Sequence, residues 1–440
     1  MRAPPVGYIS AHEDAGPETS EVMVVEREPE VLVVGAGVVG VATAYALAER
    51  GQRAVAIDAG AVGEGCSYGN AGLIAPSSSM PLAAPGVLSQ GLRWMLDKDS
   101  PFYIKPRPDP ALVSWLLRFR AAANEQQAHA AVPLLRSLKL AGRKLYDRWT
   151  QLDGMDCDYA REGVIHVYCS RAGLAEAEVM ARRFQTDGLP FEVLDADALK
   201  ARVPNLRGGV AGGVLFAGDG RVNPAKFVTR LAGLAEAAGA TFLERTEAIG
   251  FTTSRGRITA VETTKGEFRP AQVVLAAGAW SPGVVRDLRL NLPIQAAKGY
   301  SLTFHRPEGY LDIPLLLAEA HAAINPIGPL VRVAGTLELA GMDFSINRRR
   351  VAAVRRAGGQ YLEGFEELDL IETWRGMRPC TPDGLPIISR TPNWENLVIA
   401  TGHAMIGMAV GPVTGEIVAD LIRGEEPGFD LELMRYERFA

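Results

Sequence analysis

Cysteine is scarce in this 440-residue chain: Cys66, Cys157, Cys169 and Cys380 lie far apart, and no two form a Cys-x-x-Cys pair. The six histidines are equally scattered, and none stands at ligand spacing from a cysteine. No iron–sulfur or structural zinc site is therefore indicated, no metal is expected, and a reducing, cytoplasmic compartment fits. Positive charge is not in excess either. A formal net charge of −5 leaves no electrostatic footprint for nucleic acid. Long apolar runs are missing, so no bilayer span is expected, and the first residues lack the basic-then-apolar order of a secretory signal. What remains is ordinary soluble composition, 48% hydrophobic and 22% charged, with length enough for two domains or more.

The sequence does contain Val31-Leu32-Val33-Val34-Gly35-Ala36-Gly37-Val38-Val39-Gly40, running into a helical segment from Val41 to Arg50. Four aliphatic β-formers, three glycines and a small-residue helix read as strand, tight turn, helix. Gly35 permits the turn and Gly37 lets the backbone approach a pyrophosphate. Gly40 lets the helix lie close against the strand, with its N-terminus, where Val38 and Val39 sit, toward the phosphates. A second apolar run, Ala54-Val55-Ala56-Ile57, ends at Asp58, about 20 residues on, where a carboxylate accepts hydrogen bonds from a ribose. This stretch is expected to hold a dinucleotide.

The rest of the chain is organised around that unit. Residues 1–28 form a polar extension, with a short strand expected at Val22–Val25. The periodicity predicts an amphipathic piece at 88–96 and helices over 112–119, 134–149, 172–186, 195–203 and 225–238. Trp115 and Phe119 make an apolar face that suits core packing or a monolayer-touching helix. Residues 241–269 alternate like one small meander, and Arg348-Arg349-Arg350 are expected on a solvated helix turn. Glycine-bearing β segments recur in three separated blocks, so an α/β fold with a discontinuous nucleotide domain is expected. Its pieces are 29–110, 205–293 and 372–440, with 111–204 and 294–371 as a β-rich substrate domain.

Five separated motifs resemble one family. They are the Gly35–Gly40 fingerprint with Asp58, the loop Cys66-Ser67-Tyr68-Gly69-Asn70-Ala71-Gly72, Ala276-Ala277-Gly278-Ala279-Trp280-Ser281, the block from Trp374 to Pro386, and Thr401-Gly402-His403-Ala404-Met405-Ile406-Gly407. Together they resemble the FAD-dependent D-amino-acid oxidase superfamily, and within it the bacterial D-amino-acid dehydrogenases. The resemblance implies a Rossmann-type FAD-binding domain, a β-rich substrate domain and a non-covalent FAD. It places Ser67, Asn70, Ala71, Gly72 and Leu73 around the flavin, and Ala248, Ala277, Gly278 and Trp280 on the adenosine side. Gly402, His403, Met405, Ile406, Gly407 and Met408 precede or open the last helix, whose positive end would face the flavin edge that becomes anionic on reduction. His403 is equally readable as a structural histidine.

For substrate, the resemblance points to Arg378, also placed against the cofactor, as the guanidinium fork that fixes an amino-acid carboxylate. Arg375 is the alternative anchor. Tyr300 and His321 are candidate pocket-wall residues, with sheet packing as the plain alternative, and Arg332 is a weaker candidate. The activity implied is oxidative deamination of D-amino acids, with electrons passed to a quinone or carrier protein and possible peripheral membrane contact. No second Gly-x-Gly-x-x-Gly is present, so the electrons are expected to come from the organic substrate. Oxidation of secondary amino acids such as glycine, sarcosine or proline derivatives is one alternative. A flavin subunit of a larger electron-transfer complex is another.

Overall fold

The computed structural model describes residues 26–87, 91, 100–185 and 188–439. Six short strands form one sheet in the order Ile387–Arg390, Leu397–Thr401, Gln272–Leu275, Val31–Val34, Ala54–Ile57, Thr241–Leu243. Neighbours are parallel throughout except at the outer Ile387–Arg390 strand. Val31, Val33, Ala54, Ala56 and Val274 pack with the helices Val38–Glu49, Glu125–Trp149, Pro224–Ala237 and Gly407–Arg423. On the other face Leu32, Val34, Val55, Ile57 and Val273 meet Ile258, Val261 and Phe268 of a three-stranded antiparallel sheet. Cover on both faces explains why these strands read as unbroken apolar runs.

The segment at 241–244 departs from the expected meander. Its strand, Thr241–Leu243, pairs in parallel with Ala54–Ile57, leaving only the three strands from 248 to 268 to form the antiparallel sheet. Local alternation marks a strand but does not name its partner.

A larger, nine-stranded sheet runs in the order Leu370–Cys380, Gln295–His305, Leu330–Leu339, Ala322–Ile327, Leu315–Leu317, Val164–Tyr168, Gly212–Phe216, Phe191–Asp195, with Phe102–Ile104 beside Leu337–Leu339. The strands Phe102–Ile104 and Gly212–Phe216, and Leu370–Cys380 from residue 372 on, thus belong to this sheet, although those segments were expected in the nucleotide domain. Conversely, helix Glu125–Trp149 packs on the six-stranded layer through Leu138, Tyr146 and Trp149. Tyr300, Leu302, Phe304, Val331 and Val333 bury one face of the larger sheet against Val354, Ala357 and Tyr361 of helix Arg348–Tyr361. Its other face looks across a cavity at the six-stranded layer.

Helix starts follow their caps. Asp109, Asn124 and Asn223 each accept from the backbone N–H three residues on, and Pro110 and Pro224 occupy the first helical position. In helix Pro110–Ala122, Leu112, Trp115 and Phe119 are buried, and Trp115 Nε1 donates to the Cys380 carbonyl at 2.9 Å. That face is core packing, while Val113 and Leu117 on the same helix are 56% and 62% exposed. The arginine run is not uniformly solvated: Arg350 is buried, donates to the Ser100 carbonyl and lies 5.0 Å over the Tyr103 ring. Val22–Val25, and all of 88–96 except Gly91, lie outside the described residues. No described helix is long and apolar enough to cross a membrane.

Candidate active site

The cavity between the two sheets measures about 1660 Å³. Its floor begins at the strand–turn–helix. Gly35 turns with φ +110°, and a Cβ on Gly40 would lie 1.8 Å from the Gly35 carbonyl, so only glycine lets helix and strand approach this closely. Asp58 accepts from the Ala36 N–H at 2.7 Å and the Gly60 N–H at 2.8 Å. Burial pushes its carboxyl pKa up, while these two amides pull it back. A carboxylate has about four lone-pair sites, so capacity remains for ribose hydroxyls. Thr246, Glu247, Ala248, Ala277 and Gly278 line the same end.

Moving inward, Val38 and Val39 open the helix, and the Val38 N–H donates to Ser67 Oγ at 2.9 Å. The sequence-distant loop therefore caps a helix whose own Gly37 carries no side chain. Asn70, Ala71, Gly72 and Leu73 continue the lining. The Trp374 ring lies where a Cβ on Gly69 would sit, 2.2 Å away, so this loop rests on the larger sheet. Opposite, Ile406 stands at the N-cap of Gly407–Arg423 with no side-chain cap. The first-turn N–H groups of that helix open beside Met405, Gly407 and Met408, which all line the cavity.

His403 also lines it, yet its Nε2 lies 3.0 Å from Thr414 Oγ1, whose own proton goes to the Val410 carbonyl. Burial drives the imidazole pKa down to about 4, so the ring is neutral and donates to Thr414. Gly402 and Gly40 do not line the cavity. Gly402 packs on Thr381, where a Cβ would lie 2.6 Å from Cγ2.

At the larger sheet Arg378 faces the cavity. Its guanidinium crosses Gly299, where a Cβ would lie 2.1 Å from Nη1, and Nη1 donates to the Thr336 carbonyl at 2.8 Å. No carboxylate forms an ion pair with it among the described residues; burial lowers its pKa, and the neighbouring thiols of Cys380 and Cys66 offset only part of that. Burial in turn pushes the Cys66 thiol up to about 12, and Arg378 pulls it back. Thr336 belongs to a β-bulge, since Lys298 pairs with Glu338 and Tyr300 with Gly335, setting two residues against Gly299. It holds φ +63°, a costly conformation for a β-branched residue, and its Oγ1 is buried without a partner among the described residues.

The remaining candidates separate. Tyr300 lies in the sheet core on the face opposite Gly299 and Ser301; its hydroxyl donates to Glu338 at 3.2 Å and accepts from the Asn347 N–H at 3.0 Å. Tyr300 still lines the cavity, while its phenol oxygen is committed to Glu338 and the Asn347 backbone. His321 sits exposed in a turn at the cavity edge, with φ +48°, and partial desolvation by the surrounding chain lowers its pKa while Glu319 opposes this. Arg375 lies over Phe344, 5.8 Å from the ring centroid. Arg332 does not reach the cavity but holds the 66–72 loop from behind. No local pattern signals Thr336, because a bulge depends on the register with the partner strand. Met80, Val113, Leu117, Trp280, Phe344 and Met405 line the cavity although they are exposed, giving it an apolar rim.

An uncapped helix start, a glycine turn and a half-buried acid sharing one long cavity fit a dinucleotide cofactor with room for a small substrate beside Arg378. The family model described as FAD dependent oxidoreductase matches residues 30–421. The chain is 34% identical over 418 residues to a D-amino acid dehydrogenase of Cereibacter sphaeroides, covering 93% of this chain and 95% of the relative. A D-amino acid dehydrogenase of Agrobacterium fabrum is 32% identical, with 93% and 99% covered. Among solved structures, glycine oxidase from Geobacillus kaustophilus aligns with TM-score 0.76 at 23% identity, covering 93% and 98%. L-proline dehydrogenase from P. horikoshii aligns at TM-score 0.74 and 20% identity, covering 94% and 98%. Fold, cavity and relatives agree: the chain belongs to the DAO family of FAD-dependent oxidoreductases, and its cofactor is FAD.

Proposed function

We propose that this enzyme oxidises D-amino acids to 2-oxo acids and ammonia and passes the electrons to an apolar acceptor such as a quinone. The observation that carries the reading is Arg378, a cavity-facing guanidinium with no carboxylate partner among the described residues. A buried cation of this kind is stabilised by an incoming carboxylate, and its planar fork fixes that group bidentately. FAD supplies the two-electron acceptor for the Cα hydride. The protein's part is orientation: Thr336 holds Arg378, Arg378 holds the carboxylate, and the enclosed cavity keeps bulk water from the reacting carbon. Water then adds to the resulting imino acid and expels ammonia.

Leu316, Ala323, Ala334 and Leu337 beside this site favour an apolar side chain. The D preference is supported by the names of the relatives at 31–35% identity. The apolar rim supports a lipid-like acceptor and a membrane-surface location. Anaerobic mixing of the yellow holoenzyme with matched D- and L-amino acids and with glycine derivatives tests the reading. Bleaching by D-amino acids, with fast reoxidation by a soluble quinone and slow reoxidation by air, is expected. Bleaching only by glycine or proline derivatives, or by no amino acid at all, would overturn it.

A further inference from the structure

The loop at 66–72 carries its polarity in one direction. Every carbonyl from Cys66 to Gly72 accepts a hydrogen bond from within the protein. Asn70 Nδ2 donates to the first two, Cys66 O at 3.3 Å and Ser67 O at 3.1 Å. Three buried side chains of the larger sheet take the next four. Arg332 Nη1 donates to Tyr68 O at 3.3 Å and Asn70 O at 3.2 Å, Ser301 Oγ to Gly69 O at 2.7 Å, and Asn325 Nδ2 to Ala71 O at 2.7 Å. The Val222 N–H closes the series on Gly72 O at 2.9 Å.

The amides behave differently. Those of Gly69, Asn70 and Ala71 have no bonded partner among the described residues, and all three residues line the cavity. In a trans peptide the N–H of one residue points opposite the C=O of the residue before it. Holding the carbonyls of 68, 69 and 70 on the sheet side therefore sends the amides of 69, 70 and 71 the other way. Such a row of aligned N–H groups is a receptor for electron-rich atoms.

The clamp is built from costly parts. Arg332 is 6% exposed, Ser301 1% and Asn325 0%. Arg332 is itself fixed by Nε donating to Thr303 Oγ1 at 3.0 Å, with Glu372 3.9 Å from Nη2. Burying a guanidinium to bond two loop carbonyls is expensive unless the loop must hold one shape.

We propose that Arg332, Ser301 and Asn325 are positioning residues for FAD: they grip the carbonyls of residues 68–71 so that the amides of Gly69, Asn70 and Ala71 are presented to the cofactor. None of the three side chains needs to touch FAD. The larger sheet thereby sets cofactor affinity as well as carrying Arg378.

Titration of apoprotein with FAD, read by quenching of flavin fluorescence, tests this. Arg332→Met is expected to raise the Kd for FAD about tenfold or more, because two charge-assisted bonds are lost. Ser301→Ala and Asn325→Ala are each expected to raise it about three- to tenfold. Arg332→Lys, which retains a donor, is expected to recover part of the loss. At saturating FAD the KM for the amino acid should stay within about twofold of wild type, since no substrate group is removed. A folded Arg332→Met protein with wild-type FAD affinity would overturn the proposal. So would a raised KM with unchanged FAD affinity, which would put Arg332 on the substrate instead. Should Arg332→Met not fold, the two alanine variants decide: wild-type FAD affinity in both, with melting lowered in the apoprotein, would reduce the clamp to ordinary structural support.

Discussion

Arg378 brings a full charge into a site whose desolvation alone would favour losing it. The Thr336 carbonyl satisfies one donor and leaves the remainder of the fork toward the cavity. Lysine in its place would keep the charge but lose the fork, and the Gly299 shelf would no longer set its plane. Arg378→Lys is expected to lower kcat/KM for a D-amino acid about a hundredfold or more, chiefly through KM, as for truncation of a buried charge pair. Steady-state kinetics with an artificial electron acceptor measures this. A variant within threefold of wild type would dissociate Arg378 from carboxylate binding. The strained φ of Thr336 belongs to the same arrangement, because the bulge is what turns its carbonyl onto the guanidinium.

Among the elements, the crossing of helices Val38–Glu49 and Gly407–Arg423 decides how both N-termini reach the cavity. The crossing is close because Gly415 faces the Ala42 backbone, where a Cβ would lie 2.4 Å from the Ala42 carbonyl carbon. Gly415→Ala must push the helices apart. It is expected to cost about 1–3 kcal/mol, as overpacking does, and to weaken FAD retention; thermal melting and flavin release on dialysis check both effects. A melting point at or above wild type would show that the crossing relaxes freely. This region was legible in the sequence, since Val31–Val34, Gly35 and Gly40 declare a strand, a turn and a helix by composition alone. The Asn223 cap ahead of Pro224 is legible for the same local reason, whereas the helix expected from residue 134 begins nine residues earlier, at Glu125 behind Asn124, with Pro133 inside it. Tyr300 and Thr336 are not legible. Gln295–His305 is buried on both faces, so alternation gave no phase to tell Gly299 from Tyr300, and the bulge at Thr336 exists only through its partner strand. Arg332 holds a loop 262 and 264 residues earlier in the chain, a pairing that no local pattern reports.

For the molecule as a whole, the two layers are joined by a buried polar cluster as well as by apolar contact. Asp219, fully buried, accepts from the Ser77 N–H at 3.1 Å and from Ser77 Oγ, which lies 3.5 Å from His166 Nε2. Lys139 of the long helix donates to the carbonyls of Ala75 and Ser78 beside them. Burial pushes the Asp219 carboxyl up to about 7 and the His166 imidazole down to about 4, and His403 is likewise pushed down to about 4. Lys139, pushed down to about 8, keeps its charge below neutral pH. The two kinds of group work against each other. The folded protein holds the Asp219 proton, which the unfolded chain releases near pH 4, so this contribution to stability is present in acid and lost as pH rises from about 4 to about 7. The histidines are neutral in the fold but take up protons near pH 6.5 when unfolded, so their contribution is lost as pH falls from about 6.5 to about 4. Asp219→Asn deletes the first contribution and keeps the second. Its stability should therefore climb more steeply than wild type between pH 4.5 and 6.5, by up to one proton, ~1.4 kcal/mol per pH unit. Urea unfolding of both holoenzymes at three pH values in that window measures the difference, and parallel curves would mean that Asp219 is ionised in the fold throughout, held by Ser77 and Lys139.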